Sequence, residues 1–151
     1  MVIDTSALVA ILLREPDAER YAKAMDDTPL RLLSAVTQVE LAFVIEGHKG
    51  GAGRVDLDRL LTDGEFEVVA VTPQQAMIAI DAFRKFGKGR HPAGLQLGDC
   101  FSYALANVTG YPLLFNPSLA LFLPYTVTDM EKPRYTVDRS SNLQCSAIII
   151  L

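Results

Sequence analysis

The sequence predicts an α/β fold, in which helices cover both faces of a mostly parallel sheet of four to five strands. Short apolar runs alternate along the chain with longer segments of helical periodicity. Several of these longer segments begin with residues that cap helix N-termini. Strands that alternate with helices build βαβ units and a parallel sheet. The expected architecture is therefore a three-layer α/β/α sandwich.

The composition indicates a single domain without a membrane segment. The chain has 151 residues, 50% of them hydrophobic, and a net charge of −4. No apolar run approaches the roughly 20 residues that a membrane helix requires, and no export signal is recognisable, so we expect a cytoplasmic protein. The negative charge argues against a protein that coats nucleic acid. Cys100 and Cys145 suit neither a disulfide framework nor a zinc site.

The first half of the chain is predicted to form two strands and four helices. The strands are the apolar runs at 1–3 and 30–34, and the helices lie at 7–13, from about 16 through 25, at 37–47 and at 55–61. Thr5 and Ser6 are expected to cap the first helix, and Thr37 with Glu40 forms a capping box for the third. The glycine-rich stretch 47–53 lacks the preceding strand of a dinucleotide-binding motif and is predicted to be a loop.

The second half is predicted to form two strands, at 66–71 and 112–115, and two helices. The first of these helices begins at a capping box in 72–75, with proline at its first position, and ends at Gly87. It carries Met77, Ile80 and Phe83 on one face. The second helix opens at 98–99, and Gly110 ends it.

Three acidic residues occupy equivalent corners of this arrangement. Asp4 follows the first strand, Glu40 lies in the first turns after the second strand, and Asp99 starts the helix that leads into the fourth. In a doubly wound sheet these corners lie on one rim, where ligands bind. Three carboxylates within about 4–6 Å would repel one another unless a cation neutralised them. Oxygen ligands suit magnesium or manganese, which can activate a nucleophile and stabilise charge on a phosphate.

Each acid also has a purely structural interpretation. Asp4 and Asp99 could serve only to stabilise helix N-termini, and Glu40 could only complete the capping box with Thr37. A phosphotransferase of the haloacid dehalogenase type also places an aspartate after its first strand. That class requires a second aspartate two residues later, where Ser6 stands here, so we reject it.

Three segments resemble the signatures of PIN-domain ribonucleases, in particular the VapC toxins of toxin–antitoxin pairs. They are residues 2–8 (VIDTSAL), 37–40 (TQVE) and 98–106 (GDCFSYALA). Each segment alone is a weak signal, whereas three in this order and at these separations are specific. The resemblance covers residues 1–115, a PIN-like catalytic domain. Residues 116–151 would be a C-terminal segment of the same domain that departs from the family pattern.

The resemblance implies a function, a cofactor and partners. Asp4, Glu40 and Asp99 would be catalytic residues that bind Mg²⁺ or Mn²⁺, and the reaction would be the hydrolysis of RNA phosphodiester bonds. The partner would be a VapB-type antitoxin that blocks the site, and the toxin would form a homodimer that contacts DNA only through the antitoxin. More apolar positions lie in 7–25 and 36–45 than one core face can take, so we expect the antitoxin helix to bind there.

Other residues are assigned supporting roles. The hydroxyls of Thr5 and Ser6 can hydrogen-bond the acids. Lys85, Lys88, Arg90 and His91 form a basic, glycine-containing loop that we expect to contact RNA phosphates, although a solvated loop is an equal alternative.

The pattern breaks after the fourth strand, where the family usually supplies a fourth carboxylate. Asn116 stands nearest that position, and Asp129 is a second candidate. Two functional hypotheses follow. The first is a magnesium-dependent endoribonuclease toxin. The alternative is a PIN-like binding or assembly module with an impaired metal site, which still pairs with an antitoxin.

Overall fold

The computed structural model of the chain describes residues 1–116 and 149–150. Asp129, Cys145 and nearly all of the predicted C-terminal segment lie outside the described residues. Within the described part, no helix is long and apolar enough to cross a membrane.

Five strands form one parallel sheet, which confirms the predicted fold class. They are β1 (Val2–Ile3), β2 (Arg31–Ser34), β3 (Phe66–Val69), β4 (Leu113–Phe115) and β5 (Ile149–Ile150). Their order is β3-β2-β1-β4-β5, and every neighbouring pair is parallel. The chain builds outwards from β1 to β3 and then crosses back to place β4 on the other side of β1. This reversal creates a crevice at the carboxyl ends of β1 and β4.

Five helices accompany the described strands. They are α1 (Thr5–Leu12), α2 (Ala18–Asp26), α3 (Ala35–Asp63), α4 (Pro73–Phe86) and α5 (Leu97–Thr109). The predicted start of α4 is confirmed, because Thr72 and Gln75 form the capping box and proline follows Thr72. The predicted end of α5 is confirmed as well, since Gly110 adopts the left-handed conformation that glycine favours (φ 70°).

The core lies on both faces of the sheet, because successive strand residues point to opposite sides. Ile3, Leu33 and Leu114 pack with α1, α2 and α3 on one face. Val2, Leu32 and Leu113 pack with Leu105 of α5 on the other. The helices on both faces therefore hold β1 and β4 in the middle of the molecule.

The prediction for residues 37–63 is wrong in two respects. Helix α3 begins after Ser34 rather than at a capping box, and Thr37 lies inside it with its hydroxyl 3.0 Å from that of Ser102. The stretch 47–53 is helical, apart from a kink at Gly50 (φ 60°, ψ −150°). Packing explains the second error: a Cβ on Gly53 would lie 2.8 Å from Cγ2 of Ile45, so glycine permits the close approach.

The predicted apolar surface agrees only in part with the observed one. Most of the apolar side chains of α1, which we expected to form a partner groove, are buried in the core, among them Leu8 and Leu12. Val39 and Phe43 of α3 are exposed, within the stretch 36–45 where an apolar surface was expected, and Met77, Ile80 and Phe83 of α4 are exposed outside it. Helix α4 packs against α5 through Ala79 and Ala82, and Met77, Ile80 and Phe83 point outwards.

Candidate active site

A cavity of about 390 Å³ opens at the crevice between β1 and β4. Its polar lining includes four carboxylates, from Asp4, Glu15, Glu40 and Asp99. Thr5, Ser6 and Asn116 lie beside them, and apolar side chains such as Val9, Leu13, Val44 and Phe115 form the remaining walls. The three acids predicted from the sequence therefore share one cavity.

Asp4 follows β1 and is the N-cap residue of α1, as its structural interpretation allowed, whereas Thr5 and Ser6, which were expected to cap this helix, lie in its first turn. Its Oδ2 accepts hydrogen bonds from the Ser6 backbone N–H (3.0 Å) and from Ser6 Oγ (2.7 Å). The side chain is buried, and Oδ1 has no hydrogen-bond partner among the described residues. Burial of an unpaired carboxylate oxygen is costly. A cation beside Oδ1 would remove that cost.

Glu40 reaches the cavity from the second turn of α3. Thr5 Oγ1 donates to Glu40 Oε2 (2.7 Å), and the backbone N–H of Gly98 donates to Oε1 (3.3 Å). A Cβ on Gly98 would overlap the Glu40 carboxyl group. Only glycine therefore lets α5 approach this carboxylate so closely.

Asp99 lies in the first turn of α5, where its Oδ2 accepts from the backbone N–H of Gln96 (2.6 Å). Burial raises its pKa to about 6, with further contributions from the charges of Asp4 and Glu40, while the Gln96 bond acts in the opposite direction. Mutual repulsion between these acids was expected from their placement, and it is a property of sites that attract cations.

The described carboxylates surround the cavity without forming a compact ligand shell. Among residues 1–116, no group of three His, Cys, Asp or Glu side chains is arranged closely enough to hold a metal ion directly. The donor set nevertheless fits a hydrated divalent ion. All donors are oxygens, Asp4 Oδ1 is unpaired among the described residues, and Mg²⁺ retains several of its water molecules when it binds to proteins.

Ser6 connects the ends of β1 and β4. Its hydroxyl donates to Asp4 and accepts from the backbone N–H of Asn116 (2.9 Å). Asn116 is buried at the end of β4 and contacts Glu15 through its side-chain amide. The end of β4, where the family usually supplies a fourth carboxylate, therefore carries a neutral side chain, in keeping with the break in the sequence pattern.

The predicted basic loop does not line the cavity, but it directly precedes a segment of the chain that does. Lys85, Lys88 and Arg90 are exposed, and the Arg90 guanidinium sits 5.3 Å from the centre of the Phe83 ring. Nδ1 of His91 accepts from the backbone N–H of Ala93 (2.9 Å). The residues that follow, 93–96, line the cavity, so the loop is adjacent to the acids.

Glu15 and His48 also line the cavity, although neither was assigned a site role from the sequence. His48 lies two helical turns after Glu40 on the same face of α3. Its place in the lining depends on the helical conformation of 47–53, which was predicted to be a loop. Glu15 lies in the turn between α1 and α2, where no periodic pattern indicates the direction of a side chain.

The raised pKa of Asp99 predicts a pH effect on metal-free stability. The folded state binds the Asp99 proton more tightly than the unfolded state does, so its contribution is complete below pH 4 and is lost as the pH rises through about 6. We expect the unfolding free energy of the unsubstituted chain to fall by up to about 3 kcal/mol more than that of Asp99→Asn across this window. Urea titrations at pH 4 and 7 with a chelator would measure the difference, and parallel curves for the two proteins would contradict it.

Sequence comparison relates the chain to known proteins. The sequence model of the PIN domain family matches residues 1–116. A protein named Ribonuclease VapC from Mycolicibacterium smegmatis is 55% identical over 115 residues, which is 76% of this chain and 89% of the relative. Ribonuclease VapC30 and Ribonuclease VapC28 of Mycobacterium tuberculosis are 52% and 44% identical, over 88% and 87% of their lengths and 76% of this chain.

Proposed function

Because the chain belongs to the PIN domain family, we propose that it is a VapC-type endoribonuclease, the toxin of a type II toxin–antitoxin system. It hydrolyses RNA phosphodiester bonds with a divalent ion, Mg²⁺ or Mn²⁺. The observation that carries this proposal is the acidic cavity at the β1–β4 crevice, where one oxygen of Asp4 has no partner among the described residues and burial raises the pKa of Asp99. A cavity of this charge favours a cation and disfavours a bare phosphate.

The proposed roles of the side chains follow from their contacts. Asp4, Glu40 and Asp99 would hold the ion, which when bound stabilises negative charge on the phosphate and makes water a better nucleophile. Thr5 and the Gly98 backbone hold Glu40 at both carboxylate oxygens. Ser6 fixes Asp4 and ties it to the end of β4. These bonds orient the acids before substrate arrives, which lowers the cost of reaching the reactive geometry.

The RNA and protein partners have separate surfaces in this proposal. Lys85, Lys88, Arg90 and His91 lie beside the cavity and would contact RNA phosphates. Val39 and Phe43, exposed on the helix that carries Glu40, suit the apolar face of a VapB-type antitoxin helix. The exposed apolar side chains of α4 suit a homodimer. The protein would act in the cytoplasm and reach DNA only through the antitoxin.

The second candidate is a binding or assembly module with an impaired metal site that still pairs with an antitoxin. Its support is the neutral Asn116 at the end of β4 and the finding that, in the described part of the chain, no three His, Cys, Asp or Glu side chains are grouped closely enough to hold a metal ion. The two candidates differ in whether the purified chain cleaves RNA.

We expect the purified chain to cleave RNA only when Mg²⁺ or Mn²⁺ is present. Single-turnover cleavage of an end-labelled RNA, with and without a chelator, would measure this dependence. Asp4→Asn, purified identically, controls for contaminating nucleases. Activity that persists in the chelator or in Asp4→Asn would contradict the metal mechanism, and the absence of cleavage under every metal condition would favour the binding module.

A further inference from the structure

Among the described carboxylates of the cavity lining, Glu15 is the one to which the proposed function assigns no role. The end of α1 determines its position. The Arg14 N–H donates to the carbonyl of Ile11 (3.1 Å), and the Glu15 N–H donates to that of Ala10 (2.8 Å). This pair of hydrogen bonds is the Schellman motif, which requires a left-handed backbone conformation at the residue directly after the C-cap. Arg14 supplies it, with φ 57°.

The backbone on the other side of Glu15 is restricted as well. Pro16 follows directly, and a residue before proline is disfavoured in the helical region. The α1–α2 turn is thereby fixed from both sides. The carboxylate of Glu15 lines the cavity. No general requirement of a helix end explains an acid at this position, since basic rather than acidic side chains stabilise helix C-termini.

Glu15 contacts Asn116, the neutral residue at the end of β4. Asn116 Nδ2 donates a hydrogen bond to Glu15 Oε2 at a distance of 3.5 Å. The ends of β1 and β4 flank the crevice, yet β1 ends on a carboxylate and β4 on an amide. The amide cannot carry charge, but it can hold a carboxylate that does.

An independent observation indicates that this cavity takes a cation. Asp4, which lines it, is 3% exposed, and its Oδ1 has no partner among the described residues. Several acids facing a common cavity with an unpaired, buried carboxylate oxygen are better stabilised by a cation than by one another.

We propose that Glu15 supplies a fourth carboxylate to the cavity from the α1–α2 turn and strengthens divalent-cation binding there. This inference rests on the proposed function, because it concerns the same site. Glu15 acts from the edge of the site. A carboxylate at the edge of a site can bind a hydrated ion through the water molecules of that ion. Groups that act indirectly on a bound metal typically change its affinity by about 10- to 100-fold.

The test is calorimetric titration of Mn²⁺ into the full-length chain and into Glu15→Gln. Glutamine keeps an oxygen that can accept from Asn116 and removes only the charge. We expect its dissociation constant for Mn²⁺ to rise about 10- to 100-fold. Glu19→Gln, an exposed site on α2, is the matched control and should bind like the unsubstituted chain.

Glu15→Asp separates charge from structure. It retains the carboxylate, so it should bind Mn²⁺ more tightly than Glu15→Gln does, even where both change the melting temperature of the metal-free protein. Equal affinity of Glu15→Gln and the unsubstituted chain would overturn the role of Glu15 and leave the proposed function intact. Equally poor binding by Glu15→Asp and Glu15→Gln would also overturn it. An unsubstituted chain that binds no Mn²⁺ would overturn both.

Discussion

Gly98→Ala is expected to lower RNA cleavage by about 100-fold or more while the protein stays folded. The added Cβ would occupy the position of the Glu40 carboxyl group, which Gly98 N–H now contacts. The end of a glutamate side chain moves at little cost, so the effect on stability should stay below about 1 kcal/mol. A carboxylate displaced by about 1 Å can reduce the rate by about 100-fold.

The comparison variant for this substitution is Gly51→Ala. Gly51 lies in α3 with open space around its Cβ position, so alanine there should leave cleavage unchanged. Cleavage rates under single-turnover conditions, with urea unfolding in parallel, would separate displacement of Glu40 from loss of fold. Full activity in Gly98→Ala would mean that the contact between α5 and Glu40 has no catalytic importance.

Asp4→Asn is expected to abolish cleavage and to leave metal-free stability equal or higher. Asparagine keeps the oxygen that accepts from Ser6 and removes a buried, partly unpaired charge. Loss of a charged contact to the ion weakens affinity on the order of 10²-fold. The pKa of Asp99 should fall from about 6 towards its ordinary value, because the Asp4 charge helps to raise it.

Three measurements check this second substitution: RNA cleavage, urea unfolding in a chelator, and an NMR titration of the Asp99 carboxyl group. Asp26→Asn, at an exposed position on α2, provides a charge-matched control. If Asp4→Asn unfolds the protein while Glu40→Gln and Asp99→Asn cleave RNA normally, the three acids are helix caps and the proposed site is wrong.

The fold and the placement of the three acids in one cavity could be predicted because both follow from the order of strands and helices along the chain. Apolar runs separated by capped helices determine a parallel sheet, and the residues after its strands must lie at one edge. Asp4 is such a residue. The pattern at 72–75 was interpreted correctly because the side chains of Thr72 and Gln75 each accept from the other's backbone N–H, so the capping box depends on neighbouring residues.

The errors occur where distant segments decide the structure. Thr37 and Glu40 have the spacing of a capping box, but their side chains bond to Ser102, Thr5 and Gly98 instead. Glycines in 47–53 favour a loop locally, yet packing at Gly53 keeps the chain helical. Periodicity identified the apolar side of α4 and could not indicate that alanines would form its contact with α5. The direction of Glu15 depends on a left-handed Arg14, which no residue pattern announces.

The bond between Ser6 and the backbone of Asn116 joins positions that are 110 residues apart, and the one between Gly98 and Glu40 joins positions 58 apart. Contacts of such long range form late in folding, because the chain between them must first be closed into a loop. Ribosomes deliver the N-terminal part first, at about 5–20 residues per second. For several seconds a nascent chain therefore carries Asp4 and Glu40 without α5 or β4. The proposed nuclease therefore has no assembled site while it is still close to the messenger RNA that encodes it and to the RNA of the ribosome that makes it.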